Sequence, residues 1–331
     1  MIEIRKTHNI KLIQNCWLDL ESGGIAPFQT YRMQYQIWKR RFVYRRTKKI
    51  RFVYYVVFSD GKPQIILPLA VQNKSLVSLS NINGMRDYDF IYPKTMSVEN
   101  FSAFFNEFLN EVGVKLVLSN ISRNSIINTL IESPYFVGDV SENVFIALPF
   151  GDDYEVYYNG LNKHVKQNLR TAYNRMKTDV KQYQFKVYKT NQMNEETFNE
   201  VNTVYCDRRK RHFHNNNFLH SIYLKKIDFL TKEYRYNPSS FNAVVRIDDK
   251  VAAFMSGFID YNSRTVFIPR LAIDDSFARY SPGMILLNET AKYICDSNDV
   301  DILDLFGTNG DYKHSMGGVE YKKKNIVFNP R

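Results

Sequence analysis

The sequence predicts an α+β protein of two domains, each a mixed β-sheet flanked by helices. Three observations carry that prediction. The chain has 331 residues, too many for one small core. Its composition, 44% hydrophobic and 24% charged with few Gly and Pro, is that of a folded globular protein and excludes disordered and fibrous classes. One order of strands and helices also occurs twice along the chain.

In the first half, Arg51 to Phe58 is β-branched and aromatic and predicts a strand. Asp60-Gly61 signals a turn, and Gln64 to Val71 predicts the returning strand. Phe101 to Val112 places Phe104, Phe105, Phe108, Leu109 and Val112 at helical spacing, and Lys115 to Ser119 predicts a short strand behind it. The second half repeats the order. Phe241 to Ile247 and Val251 to Ile259 form a hairpin pattern around Asp248-Asp249-Lys250, and Thr265 to Ile273 predicts another strand. A helix follows over Gly283 to Cys295, then a strand over Asp301 to Phe306. Tyr321 to Phe328 alternates like a closing edge strand. The polar turn Phe150-Gly151-Asp152-Asp153 marks the join, dividing the chain into residues 1–150 and 151–331.

Aromatic residues make up 15%, enough to fill a large core and still line a cleft. A net charge of +11 implies an anionic partner, whether nucleotide, coenzyme, tRNA, sugar phosphate or membrane surface, or else serves solubility alone. The three cysteines, Cys16, Cys206 and Cys295, fall in predicted helices without metal-ligand or CxxC spacing, so neither zinc nor a disulfide framework is expected. Met1 to Gln14 is mostly polar, and the densest apolar stretch, Phe52 to Phe58, is far short of a membrane span. These features give the expectation of a cytoplasmic protein with no metal and no membrane span.

Two motifs carry chemistry. In Ala278-Arg279-Tyr280-Ser281-Pro282-Gly283-Met284, Ser281 suits an N-cap, Pro282 the first helical position, and Gly283 a close backbone approach. Such a helix start binds anions through unpaired N–H groups and the dipole, with Arg279 as an added phosphate contact; it is equally a well-capped helix. In Asp301-Ile302-Leu303-Asp304-Leu305-Phe306-Gly307, alternation puts Asp304 opposite Leu303 and Leu305. There it can accept a proton or orient an amine. Lys313, in the polar loop Tyr312-Lys313-His314-Ser315-Met316-Gly317-Gly318, can stabilise charge on a carbonyl oxygen, or simply pair with an Asp.

Two basic segments add substrate candidates. Leu161, Val165, Leu169, Tyr173 and Met176 make an apolar stripe, with Lys163, Lys166, Arg170 and Lys177 opposite and His164 beside them. That face is either solvated or borders a cleft for a phosphorylated acceptor. Asp207 to His214 concentrates basic charge around Phe213 and reads as a dipole-complementing helix end or an RNA contact.

Taken together, Ser281-Pro282-Gly283, Asp304, and Tyr312-Lys313 before Gly317 resemble the tandem GNAT acyltransferases, closest to the CelD-like group and more distantly the Fem-type aminoacyltransferases. Pro27-Phe28-Gln29-Thr30, leading to Trp38, and Asp87-Tyr88-Asp89 are similar too, so the resemblance spans nearly the whole chain. It implies two tandem GNAT-like domains. Residues 1–150 would be degenerate and face the acceptor, while residues 151–331 would bind acetyl-CoA or another acyl-CoA as co-substrate. Its pantetheine arm would lie beside Ile268 to Ile273, including Arg270, Leu271, Ala272 and Ile273. Its pyrophosphate would lie near Arg279, Tyr280, Ser281, Pro282, Gly283 and Met284. Lys313 matches the lysine of the Fem-type Phe-Lys-x-x-Phe-Gly element, with Tyr312 and Met316 in place of its aromatics, and Pro282 stands where the GNAT loop carries Gly.

The expected activity is N-acylation of an amine on a polar or phosphorylated acceptor, such as an amino sugar or cell-surface polysaccharide precursor. Asp304, Lys313 and Tyr312 form the expected catalytic group. Asp87, Tyr88, Asp89, Lys163, His164, Lys166 and Arg170 are the expected acceptor contacts. Behind Asn81 to Arg86 no glycine-opened helix follows, so the first half is expected to lack a donor site. Two alternatives stand beside this: an aminoacyl-tRNA-dependent transferase acting on a cell-wall precursor, and a catalytically silent GNAT-fold RNA-binding protein.

Overall fold

In the computed structural model the described residues are 1–330 except 23, 80–86, 133–135, 213–230, 308 and 309. The readings placed on Asn81 to Arg86 and on Phe213 and His214 lie outside them. Two compact units result: Met1–Phe145 together with Lys322–Arg331, and Ile146–Tyr321.

The first unit opens with β1 (Ile2–Thr7) and three helices, α1 (Gln14–Glu21), α2 (Tyr31–Lys39) and α3 (Arg41–Lys48). The hairpin follows as β2 (Arg51–Ser59) and β3 (Lys62–Gln72). Its turn holds Asp60 and Gly61 at φ 51° and 77°, two left-handed central residues matching the twist of the strands. Then come β4 (Ser75–Ser78), α4 (Val98–Val112), β5 (Leu116–Leu118) and the start of β6 (Gly138–Pro149). Helix α4 begins where Ser97 accepts the Asn100 N–H and ends on left-handed Gly113. Phe101, Phe105 and Phe108 fall on one face of it and pack on Val53, Leu67 and Leu69 of the hairpin. Burying each such ring stabilises the unit by roughly 1.5–3 kcal/mol.

The last strand, β12 (Val319–Phe328), corrects the edge-strand expectation for Tyr321 to Phe328. It runs between β5 and β6 and pairs Ile326 with Leu118 and Phe328 with Leu116. Its alternation gave it the look of an edge strand with one face to water. Lys323 is instead buried, its charge met by Asp87.

In the second unit, α5 (Tyr154–Gly160) and α6 (Lys163–Thr178) lead to β7 (Tyr183–Lys189) and α7 (Glu195–His212). The short α8 (Glu233–Tyr236) precedes the hairpin β8 (Ser240–Ile247) and β9 (Lys250–Asp260), whose turn again holds two left-handed residues, Asp248 and Asp249. Then follow β10 (Thr265–Ile273), α9 (Pro282–Ser297), β11 (Ile302–Asp304) and α10 (Asp311–Ser315). The strands order as β6-β11-β10-β9-β8-β7, antiparallel except for β10 and β11. The α6 stripe (Val165, Leu169, Ala172, Met176) and α9 (Ile285, Leu286, Ala291, Ile294) pack in one cluster with Phe241, Ala243, Val245 and Met255. Val201 of α7 belongs to another, with Val244, Phe254 and Ala272. Helices thus flank this mixed sheet. No helix among the described residues is long and apolar enough to cross a membrane.

Candidate active site

Strands β10 and β11 run parallel for three rungs only, ending at Phe267 opposite Asp304. Beyond that rung β10 continues to Ile273 with β9 alone as its ladder partner among the described residues. A register shift between Phe267 and Arg270 sets Ile268 and Pro269 against the single residue Gly257. A side chain at Gly257 would fall 1.8 Å from the Phe267 carbonyl oxygen, so the bulge requires glycine there. Among the described residues this leaves one edge of β10 without a ladder partner from the level of Asp304 onward.

Helix α9 starts just after this edge. Pro282 occupies its first position as expected. Ser281 departs from expectation: it sits in the left-handed region (φ 49°), and its side chain makes no cap bond. Its carbonyl accepts from both Met284 and Ile285 N–H groups. Pro282 has no N–H, and the Gly283 amide has no backbone acceptor among the described residues. A Cβ at Gly283 would approach Ile273 Cγ2 to 3.2 Å, which shows how closely the helix start lies on the β10 edge.

Asp304 is buried with both oxygens engaged. Oδ1 accepts the Phe306 N–H at 2.9 Å, and Oδ2 accepts the Tyr321 hydroxyl. Its neighbours Leu303 and Leu305 are buried as well, because β11 is an interior strand covered on both faces. The alternation seen in the sequence therefore does not separate water from core. Tyr321 was missed, since seventeen residues and a different element separate it from Asp304.

Lys313 also corrects the sequence. It lies in α10 rather than an open loop and is buried. Its ammonium donates to the carbonyls of Leu305 (3.4 Å), Phe306 and Gly307 (3.2 Å). Phe306 and Gly307 turn left-handed there (φ 45° and 79°). Lys313 thus holds the turn that follows Asp304, and Tyr312 beside it is exposed.

Residues 163–314 match the family model described as "Acetyltransferase (GNAT) domain". The second unit carries a GNAT acyltransferase domain. Among solved structures, the C-terminal domain of a putative lysylphosphatidylglycerol synthetase from Agrobacterium fabrum is similar over 97% of this chain and 93% of its own, at 13% identity and TM-score 0.59. FemX is similar over 97% and 96%, at 9% identity and TM-score 0.57. L-PGS from Bacillus licheniformis covers 85% and 84%, at 15% identity and TM-score 0.52. At these identities the likenesses show the fold alone. No curated protein sequence matches the chain.

Within the GNAT domain, the other candidates fall into separate groups. Arg270 points away from the β10 edge into an aromatic cage, 4.1 Å from the Tyr205 ring and 4.7 Å from Tyr234, and donates to Asn202 at 2.9 Å. Ala272 is buried, while Leu271 and Ile273 are half-buried. Arg279 is exposed and pairs with Asp179 at 3.0 Å; Tyr280 donates to the same carboxylate at 2.9 Å, and these bonds hold the Asp179 carboxyl below its ordinary range. Lys163, His164 and Arg170 are exposed on α6, and Lys166 caps the Asn159 carbonyl at 3.1 Å. Arg211, at the basic end of α7, pairs with Asp275.

Outside the GNAT domain, Asp87, Tyr88 and Asp89 turn inward. Tyr88 donates to the Pro68 carbonyl at 2.9 Å. Asp87 Oδ1 pairs with Lys323; Asp87 and Gln34 both line a cavity of about 10 Å³, and Asp87 Oδ2 and Gln34 Oε1 are buried without a partner among the described residues. That space is about the size of one water, which would serve both acceptors.

Asp89 accepts from Ser125 (2.7 Å), Tyr92 (3.0 Å) and the Phe90 N–H (2.8 Å). Burial nonetheless pushes its carboxyl up to about 7. With the folded value above the unfolded one, the folded state binds the extra proton between about pH 4 and 7, so stability falls as pH rises through that window. Asp89→Asn should therefore flatten the profile. The wild type should gain roughly 5–10 °C in Tm on going from pH 8 to pH 5 relative to the variant. Parallel profiles would mean that Asp89 does not titrate there.

Proposed function

We propose that this chain is an acyl-CoA-dependent N-acyltransferase acting on an amine of a polar or phosphorylated acceptor, such as an amino sugar or cell-surface polysaccharide precursor. One observation carries the reading: the β10 edge left without a ladder partner beyond Asp304 among the described residues, running to a glycine-opened helix start. The edge fits the peptide-like arm of acyl-CoA, which would pair as an added strand at Ile268 to Ile273. The start of α9 fits the pyrophosphate less fully, offering the Gly283 amide with Arg279 nearby in sequence. The bound thioester supplies an activated acyl group for attack by the amine.

The chain's own residues divide the remaining work. Asp304, where the strands part, orients the amine and takes its proton, with Tyr321 fixing one carboxylate oxygen. Lys313 holds the Leu305–Gly307 turn, and so acts as a positioning residue. Lys163, His164, Lys166 and Arg170 offer a basic face to a phosphorylated acceptor, and the cytoplasm is where such a donor is available.

Acetyl-CoA at a hundred times its Kd should raise Tm by roughly 5–10 °C, the equivalent of about 2.7 kcal/mol. Gly283→Leu should abolish the rise, with Gly283→Ala as a milder variant should the first not fold. No shift with any short acyl-CoA would overturn the donor assignment. The lack of an N–H at Pro282, at the start of α9, favours a second reading, in which an aminoacyl-tRNA is the donor. Steeply salt-dependent binding of aminoacyl-tRNA, without any acyl-CoA effect, would decide for it.

A further inference from the structure

Between Ser22 and Ser59 the chain carries nine Lys and Arg and no Asp or Glu. Almost the whole net charge of +11 thus arises in one stretch, and the rest of the chain is close to neutral. The stretch forms α2, α3 and the start of β2, in the first unit, outside residues 163–314.

Helix α3 shows which way these charges face. Tyr44 is buried and packs against Phe52, with ring centroids 5.6 Å apart. Phe42, Arg45, Arg46 and Lys49 recur at the spacing of a single helical face. All four are exposed, and Phe42 is 60% exposed, unusual for so large an apolar side chain. The Arg41 guanidinium covers both the Trp38 ring (3.6 Å) and the Phe42 ring (4.3 Å). Lys39 and Arg51 are exposed as well. None of Lys39, Arg45, Arg46, Lys49 and Arg51 has a carboxylate partner among the described residues.

We propose that this face of α2 and α3 docks onto an anionic lipid bilayer. Charge complementarity supplies the attraction, since each cation held near such a surface contributes about 1 kcal/mol. Phe42 supplies an apolar body to sink among the headgroups, flanked by arginines whose stems reach past it. Neither contribution suffices alone, so attachment is peripheral and reversed by salt. Nucleic acid is the other extended polyanion. A bilayer suits the face better, because Arg41 already occupies the Phe42 ring, hindering base stacking but not insertion of the ring's edge.

The test is co-sedimentation of the full chain with phosphatidylcholine vesicles, with and without one third phosphatidylglycerol, at low and high salt. The protein should pellet with the anionic vesicles at low salt and be released at high salt. Arg45→Ala/Arg46→Ala should weaken the binding about 30-fold, and Phe42→Ser should weaken it with the charge unchanged. Matching melting temperatures exclude unfolding as the cause. Absence of binding, equal binding to neutral vesicles, or vesicle binding indifferent to these variants would overturn the proposal. So would binding to polyuridine RNA that depends on Arg45 and Arg46 while vesicles are ignored.

Discussion

Asp304→Asn should lower turnover by about 10²–10⁴-fold while leaving the acyl-CoA-induced rise in Tm unchanged. The asparagine keeps both local bonds, because its carbonyl still accepts the Phe306 N–H and its amide can donate to the Tyr321 oxygen. What disappears is the capacity to accept a proton. A structural role would be preserved by this exchange, whereas a chemical one would not. Tyr321→Phe removes the hydroxyl from one carboxylate oxygen and should change turnover less than Asp304→Asn does. Release of free thiol from acyl-CoA, measured over a panel of amines and amino sugars, reports both effects. If Asp304→Asn turns over at the wild-type rate, Asp304 is removed from the chemistry and the donor site is left untouched.

The fold was legible because its signals are local. Thr265 to Ile273 was bounded by sequence as it lies in the structure, and both hairpins announce themselves through paired turn residues, Asp60-Gly61 and Asp248-Asp249. Helix α4 could be found from the spacing of its phenylalanines and its Ser97 and Gly113 caps. Site details were less legible, since they depend on partners distant in the chain. The burial of Lys313 becomes visible only once the turn at Phe306 brings three carbonyls to its ammonium. Ser281 has the composition of an N-cap, yet the chain enters α9 left-handed, a backbone feature that no side chain in the motif signals. Arg270 lies within the strand predicted to meet the donor, and its guanidinium nonetheless turns to Tyr205 and Tyr234. Alternation along β11 misled because an interior strand has no solvent face.

Lys323→Met should destabilise the protein by about 3–5 kcal/mol, because it leaves the Asp87 carboxylate buried without its counter-charge. The two groups meet at 2.6 Å across 236 positions of sequence, and each side chain is only 2% exposed. The Lys323 ammonium also lies 5.2 Å from the Phe145 ring centroid, so its other side faces an aromatic surface rather than water. Asp87→Asn should cost a similar amount by stranding the ammonium instead. The double variant Asp87→Leu/Lys323→Met removes both charges and should recover much of either loss, since replacing a buried pair by apolar groups is often near neutral. On thermal melts each single change should lower Tm by roughly 10 °C, with the double variant closer to wild type. Additive losses in the double variant would show that the two charges do not depend on one another. Recovery would mean that β12 is tied to the segment at Asp87 by charge matching, in place of the solvation that its run of lysines, Lys322 to Lys324, suggests.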